Sequence, residues 1–315
     1  MRIRFVSFFV LIIFTMFLFI LTSISALGDN FFVFLLVILI ISGICYSVYK
    51  EIIRLLANSF KEKFKVNYYD ILFTVIGCLA AYFLNIYLNQ GAVIAASLVG
   101  IISACFLKKY SVAMYAGAFA GMISPAVLHD FYHILLVSII TGIIFTFSRG
   151  VFDGFGGKLG ATAFSSWIIL YLTSDIELIS PVLESDSGVV LFVICLTGVF
   201  LTYLLQNNFK GDVVASSAVI SLLGALILPI LFPEHSSHLA PLLMSATFAG
   251  MSSKKRIEGY HEIFIISIFV SVIFIYSYSH LGGGGGKLGT IAFGCVLAAN
   301  GIIKFASDSF SKKKS

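Results

Sequence analysis

Apolar runs of near-bilayer length recur along this chain, and no other feature limits its fold so tightly. They fall near residues 5–27, 31–49, 70–88, 91–107, 111–124, 133–148, 157–173, 188–206, 212–232, 239–252, 261–279 and 287–305. A helix of roughly 20 apolar residues crosses a bilayer, and inside lipid only helices or closed barrels satisfy every backbone polar group. Hydrophobic residues make up 59% of the 315 positions and charged residues 11%, against about a quarter charged in a soluble domain. The expected fold is an all-α polytopic membrane protein with twelve transmembrane helices, two of them short. Its expected partner is the lipid bilayer. The net charge of +5 lies in loops and reads as a topology signal, not as a footprint for nucleic acid.

The basic residues fall on alternate loops. Arg2 and Arg4 precede the first run, and Lys50 to Lys65 follow the second. Lys108 and Lys109 follow the fourth, Arg149 and Lys158 the sixth, Lys210 the eighth, and Lys254, Lys255 and Arg256 the tenth. Lys304 and the terminal lysines close the chain, while the opposite loops carry Asp29, Asp130, Asp175, Glu177, Glu184, Asp186 and Glu234. By the positive-inside rule both termini are cytoplasmic, in a cytoplasmic (inner) membrane. Lys287 alone breaks the pattern. The opening MRIR with its apolar run resembles a secretory signal, yet the run exceeds a signal core and a second run follows directly, so it reads as a retained helix. Between the second and third runs, Ile52, Ile53, Leu56, Phe60 and Phe64 recur at helical spacing with Arg54, Lys61, Lys63 and Lys65 on other faces. An amphipathic helix on the membrane surface is expected there.

Lys287 belongs to a phrase that occurs twice. GGKLGATAF at 156–164 returns as GGKLGTIAF at 285–293, 129 positions on, and FAGM at 119–122 returns as FAGM at 248–251 with the same offset. Tyr132–His133 is echoed by Tyr260–His261, and GAVIAAS at 91–97 by GDVVASS at 211–217. Each copy holds five apolar runs, the third of them short. An odd count sends the second copy through the membrane in the opposite sense. The expected organisation is therefore 2 + 5 + 5: an N-terminal hairpin over 1–49, a connector over 50–69, one repeat over 70–174 and an inverted one over 187–307. Inverted repeats are frequent in transporters, where substrate binds at the repeat interface.

In both copies GGKLG opens an apolar helix. Glycine permits positive φ and close approach, a helix N-terminus offers free N–H donors to an anion, and lysine adds a cation. Gly156, Gly157, Lys158 and Gly160, with Gly285, Gly286, Lys287 and Gly289, are thus candidate substrate contacts; a tight turn with a snorkelling lysine is the plainer alternative. Gly121 and Ser124, with Gly250 and Ser253, end the two short runs, where broken helices would line a path and small-residue helix packing is the alternative. His133 and His261 are candidate proton or polar contacts, or else interfacial anchors beside their tyrosines.

Several absences narrow the function. No Asp or Glu falls in the middle of an apolar run, so the usual membrane carboxylate for ion coupling is missing. Cys45, Cys78, Cys105, Cys195 and Cys295 all lie in apolar runs without a CxxC or Cys/His cluster, so no metal or cofactor is expected and the thiols read as buried spectators. No catalytic constellation accompanies them. The pattern points to a transporter or channel for a small polar or anionic solute. A membrane-embedded enzyme, a lipid-handling protein and a non-transporting scaffold stay open, as does assembly into a homo-oligomer.

Overall fold

In the computed structural model the described residues are 2–58, 66–127, 130–175, 177–183 and 188–312. They form twelve α-helices: α1 (Arg2–Asp29), α2 (Phe31–Asn58), α3 (Tyr68–Tyr82), α4 (Ala92–Phe106), α5 (Ser111–Ala120), α6 (Phe131–Phe147), α7 (Lys158–Thr173), α8 (Gly188–Asn207), α9 (Val213–Leu231), α10 (Ser236–Gly250), α11 (Tyr260–Ser277) and α12 (Lys287–Lys312). A π-turn over Phe83–Tyr87 extends α3, and among the described residues there is no strand beyond one isolated bridge between Ile179 and Gly282. Phe60, Lys61, Lys63, Phe64 and Lys65 of the expected surface helix, and Glu184 and Asp186, lie outside the described residues. Ile52, Ile53 and Leu56 belong to α2, which runs unbroken past Lys50 to Asn58.

Among the described residues seven helical stretches are long and apolar enough to cross a membrane: 4–29, 31–57, 68–87, 188–207, 213–231, 260–277 and 287–309. The protein is a multi-pass helical membrane protein. The expectation of only two short spans needs correction, because α4, α5, α6, α7 and α10 are 10 to 17 residues long. At 1.5 Å per residue a ten-residue helix such as α5 covers about 15 Å, half of a typical hydrocarbon core. Local chemistry sets the breaks. Gly91 enters α4 at φ +83°, and Asp130 and Asp212 cap α6 and α9 by accepting from Tyr132 N at 3.0 Å and Val214 N at 2.9 Å.

Aromatic side chains fill the centre, among them Tyr115, Phe119, Phe164, Trp167, Phe248 and Phe293, each no more than 1% exposed. Most buried hydroxyls bond to carbonyls of their own helix, as Thr74 does to Asp70 O and Ser165 to Ala161 O, both at 2.7 Å, which satisfies them inside lipid or core; among the described residues those of Ser97 and Thr202 are buried without a partner. Large apolar side chains such as Phe32, Phe106, Val189 and Ile230 are exposed around the outside, the arrangement a hydrocarbon solvent favours. Cys45 and Cys105 share that outer surface, which corrects their reading as buried thiols; Cys78, Cys195 and Cys295 are buried.

Candidate functional site

The two copies of GGKLG meet in space. Gly157 takes the left-handed conformation at φ +80° ahead of α7, and Gly286 does the same at φ +87° ahead of α12. A β-carbon on Gly157 would strike Gly289 O and Phe293 N, and one on Gly286 would strike Gly160 O and Phe164 N. Gly160 and Gly289 press together through their Cα atoms. The first turns of α7 and α12 are thus packed backbone to backbone, and each contact has a counterpart 129 positions away.

The short helices close round this crossing. Gly156 sits under the carbonyls of Phe248 and Ala249 at the end of α10, and Gly285 under those of Phe119 and Ala120 at the end of α5. Ser253 N donates to Gly154 O at 2.9 Å, and Ser124 N donates to Gly283 O at 2.8 Å. Each FAGM segment therefore clasps the other copy's phrase. Trp167 Nε1 adds a bond to Ala120 O at 2.9 Å.

Both lysines turn back to the helix that precedes them. Lys158 Nζ donates to Ser148 O at 2.8 Å and to Asp153 Oδ1 at 3.1 Å. Lys287 Nζ donates to Ser277 O at 2.6 Å, Tyr278 O at 3.0 Å and His280 O at 2.5 Å. These carbonyls lie at the C-termini of α6 and α11, where unpaired acceptors and the negative end of the helix dipole favour a cation.

Two cavities flank the crossing. The first, of about 480 Å³, is lined by Gly156, Gly157, Lys158 and Ser253, with Lys109, Arg149, Asp153 and Gln206 as further polar groups. The second, of about 490 Å³, is lined by Ser124, Gly286 and Lys287, with Asn85, Asn89, Ser237 and Ser277. Among the described residues one carboxylate lines the two walls, Asp153, and it is paired with Lys158; Arg149 is paired with Asp70 at 2.6 Å. Two side chains, Phe119 and Phe248, line both cavities. Their rings are 4.4 Å apart between centroids at 49°, and each is 1% exposed. Tyr115 packs against both rings, and its hydroxyl opens a buried chain through Ser217 (3.3 Å), Thr247 (3.1 Å) and Ser221 (2.8 Å).

The expected contacts divide into two groups. Gly156, Gly157, Lys158, Ser253, Ser124, Gly286 and Lys287 line a cavity. Gly160, Gly285 and Gly289 lie behind the wall in the crossing, while Gly121 packs on Cys78 O of α3 and Gly250 on Val199 O of α8. His133 and His261 reach neither cavity: His133 lies 3.7 Å from Asp130, and His261 is 71% exposed beside Glu262. Sequence reasoning singled out the glycine of FAGM and passed over its phenylalanine, although Phe119 and Phe248 carry the same 129-residue spacing. Among the described residues no group of three or more His, Cys, Asp or Glu lies close enough to hold a metal. No protein family, curated protein or solved structure matches the chain.

Proposed function

We propose that this chain is a transporter or channel for a small polar or anionic solute, built from two inverted five-helix repeats over 70–174 and 187–307. One observation carries the reading: two cavities of nearly equal volume each hold one lysine of the doubled phrase, and Phe119 and Phe248 line both. The reciprocal glycine contacts support the repeat, since a pseudo-two-fold axis in the membrane plane pairs each group with its counterpart. On the topology read from the loop charges, the Lys158 cavity opens to the cytoplasm, the Lys287 cavity opens outside, and both termini are cytoplasmic. The walls favour neutral or anionic solutes, because among the described residues their bases outnumber a single, paired carboxylate. No chemical step is part of this function.

The test is solute flux in vesicles reconstituted with the full chain, across neutral polar solutes and small anions. Wild type should carry at least one of them above protein-free vesicles. Phe119→Leu and Phe248→Leu, milder than alanine because they leave less of a hole in the core, should each raise that flux by loosening the ring pair. Flux equal to protein-free vesicles for every solute, in wild type and in both variants, would overturn the reading.

A further inference from the structure

A third cavity, of about 370 Å³, lies away from the first two, between α2, α12 and the loop after α10. Every described side chain lining it is polar. Ser47, Lys50, Glu51 and Arg54 come from α2, and Asn300, Lys304 and Asp308, spaced one turn apart, come from one face of α12. Arg256 enters from the loop. Four bases against two acids leave a surplus of two positive charges.

Much of this cluster is already engaged. Glu51, 2% exposed, accepts from Phe152 N at 3.0 Å and pairs with Arg54 at 2.7 Å and Arg256 at 3.3 Å. Arg256 also donates to Asp153 O at 3.0 Å and lies 4.0 Å over the ring of Phe155. Lys50 pairs with Asp308 at 2.6 Å, and Asn300 holds Arg256 O at 2.9 Å. Three donors are left over. Lys304 has no ion-pair or hydrogen-bond partner among the described residues, and the hydroxyl of Ser47 has none either, although Ser47 is only 3% exposed. Arg54 Nε is buried without a partner. A surplus of two charges with unfilled donors beside it is an unfinished site, since a buried polar group without a partner is costly.

We propose that this cleft binds a phosphate monoester group. Such a group carries about −1.5 to −2 charges and three strong acceptor oxygens, which matches the surplus charge and the three open donors. Lys304 supplies the ion pair, Ser47 a hydroxyl donor, and Arg54 a guanidinium edge held in place by Glu51 and by its bond to Gly150 O at 3.0 Å. The proposal is independent of the transport reading, because no residue named as lining this cleft lines either of the first two cavities.

The phosphate could belong to a lipid headgroup or to a soluble ester, and the experiment separates them. The thermal unfolding midpoint of the purified full chain is followed with sodium phosphate against sodium chloride at matched ionic strength. A second arm uses short-chain phosphatidic acid against short-chain phosphatidylcholine. A rise with phosphate supports the site with a soluble source; a rise with phosphatidic acid alone supports it with a lipid source. Lys304→Gln should weaken the apparent affinity for the active probe on the order of tenfold or more, Ser47→Ala should weaken it less, and Lys304→Arg should retain it. No rise in either arm, or unchanged titrations in both Lys304→Gln and Ser47→Ala, would overturn the proposal.

Discussion

The phrase at 156–164 and its copy at 285–293 solve the same packing problem with different electrostatics. In both, two glycines let a helix start cross its counterpart at backbone distance, and a lysine reaches ten residues back to a serine carbonyl. In the first copy Lys158 also meets a carboxylate, Asp153, whose side chain is 58% exposed. In the second, the position 129 residues on from Asp153 is Gly282, and Lys287 is held by three carbonyls instead. The backbone geometry is what both copies share, whereas the counter-charge differs. A helix crossing tolerates no added atom, but a buried amine accepts either an ion or several dipoles as partner.

The strongest way to break this comparison is to fill the shared crossing. Gly160→Leu and Gly289→Leu each place a side chain against the other helix's backbone, where neither helix can give way. Both should abolish accumulation of folded protein, and to the same degree because the contact is mutual. Recovery of either variant as a monodisperse species with a wild-type unfolding midpoint would mean the crossing is not close-packed.

The lysines sharpen the contrast at a smaller scale. Lys287→Met removes the lysine donor from three carbonyls, of which only Ser277 O keeps a backbone bond among the described residues, from His280 N at 2.9 Å, and an unsatisfied buried acceptor costs about 1–3 kcal/mol. Lys158→Met leaves Ser148 O its bond from Val151 N at 3.0 Å and frees Asp153, which is exposed enough to be hydrated. The unfolding midpoint should fall more for Lys287→Met than for Lys158→Met. Equal losses would show that counter-charge and carbonyl cage are equivalent after all.

The smallest expected effect is a pH dependence confined to the second copy. His280 caps Lys287 with its carbonyl and sets its ring Nε2 2.5 Å from Ser25 Oγ. Burial first, and the neighbouring Lys287 second, hold its imidazole below the ordinary histidine range. A lowered folded-state pKa means that the unfolded chain takes up the proton first. This contribution to stability is complete above about pH 6.5, the unperturbed value, and is lost as pH falls below it. The corresponding position in the first copy is Val151. His280→Gln should flatten the fall of the midpoint below pH 6.5; an identical slope in the variant would remove His280 from the account.

Much of the helix inventory was legible because lipid forces backbone pairing within each helix, so apolar length alone marks α1, α2, α8, α9, α11 and α12. Helix lengths near the centre were not. Runs 91–107, 133–148 and 157–173 read as ordinary spans, yet α4, α6 and α7 hold 15, 17 and 16 residues, and the start of α7 is set by its contact with the other copy. The lysines were legible as a repeated pair, and their neighbours were not. Ser148 and Ser277 become acceptors only after each chain turns back through the glycines that follow, a path that depends on Gly150 and Gly154 at φ +82° and +80° in one copy and Gly283 at φ +84° in the other.

What the sequence determined by itself was the solvent and the bookkeeping: a helical chain for a lipid bilayer, with one phrase written twice at a fixed offset. Apolar length and repetition are local or linear properties, so they survive without coordinates. Tertiary structure alone decided that the two phrases touch, that Phe119 and Phe248 face each other between two cavities, and that Ser47, Arg54 and Lys304 border one cleft. These depend on the approach of segments more than a hundred residues apart. That approach is set by which side chains are absent at the crossing, here the glycines, and by where unpaired carbonyls and donors find partners.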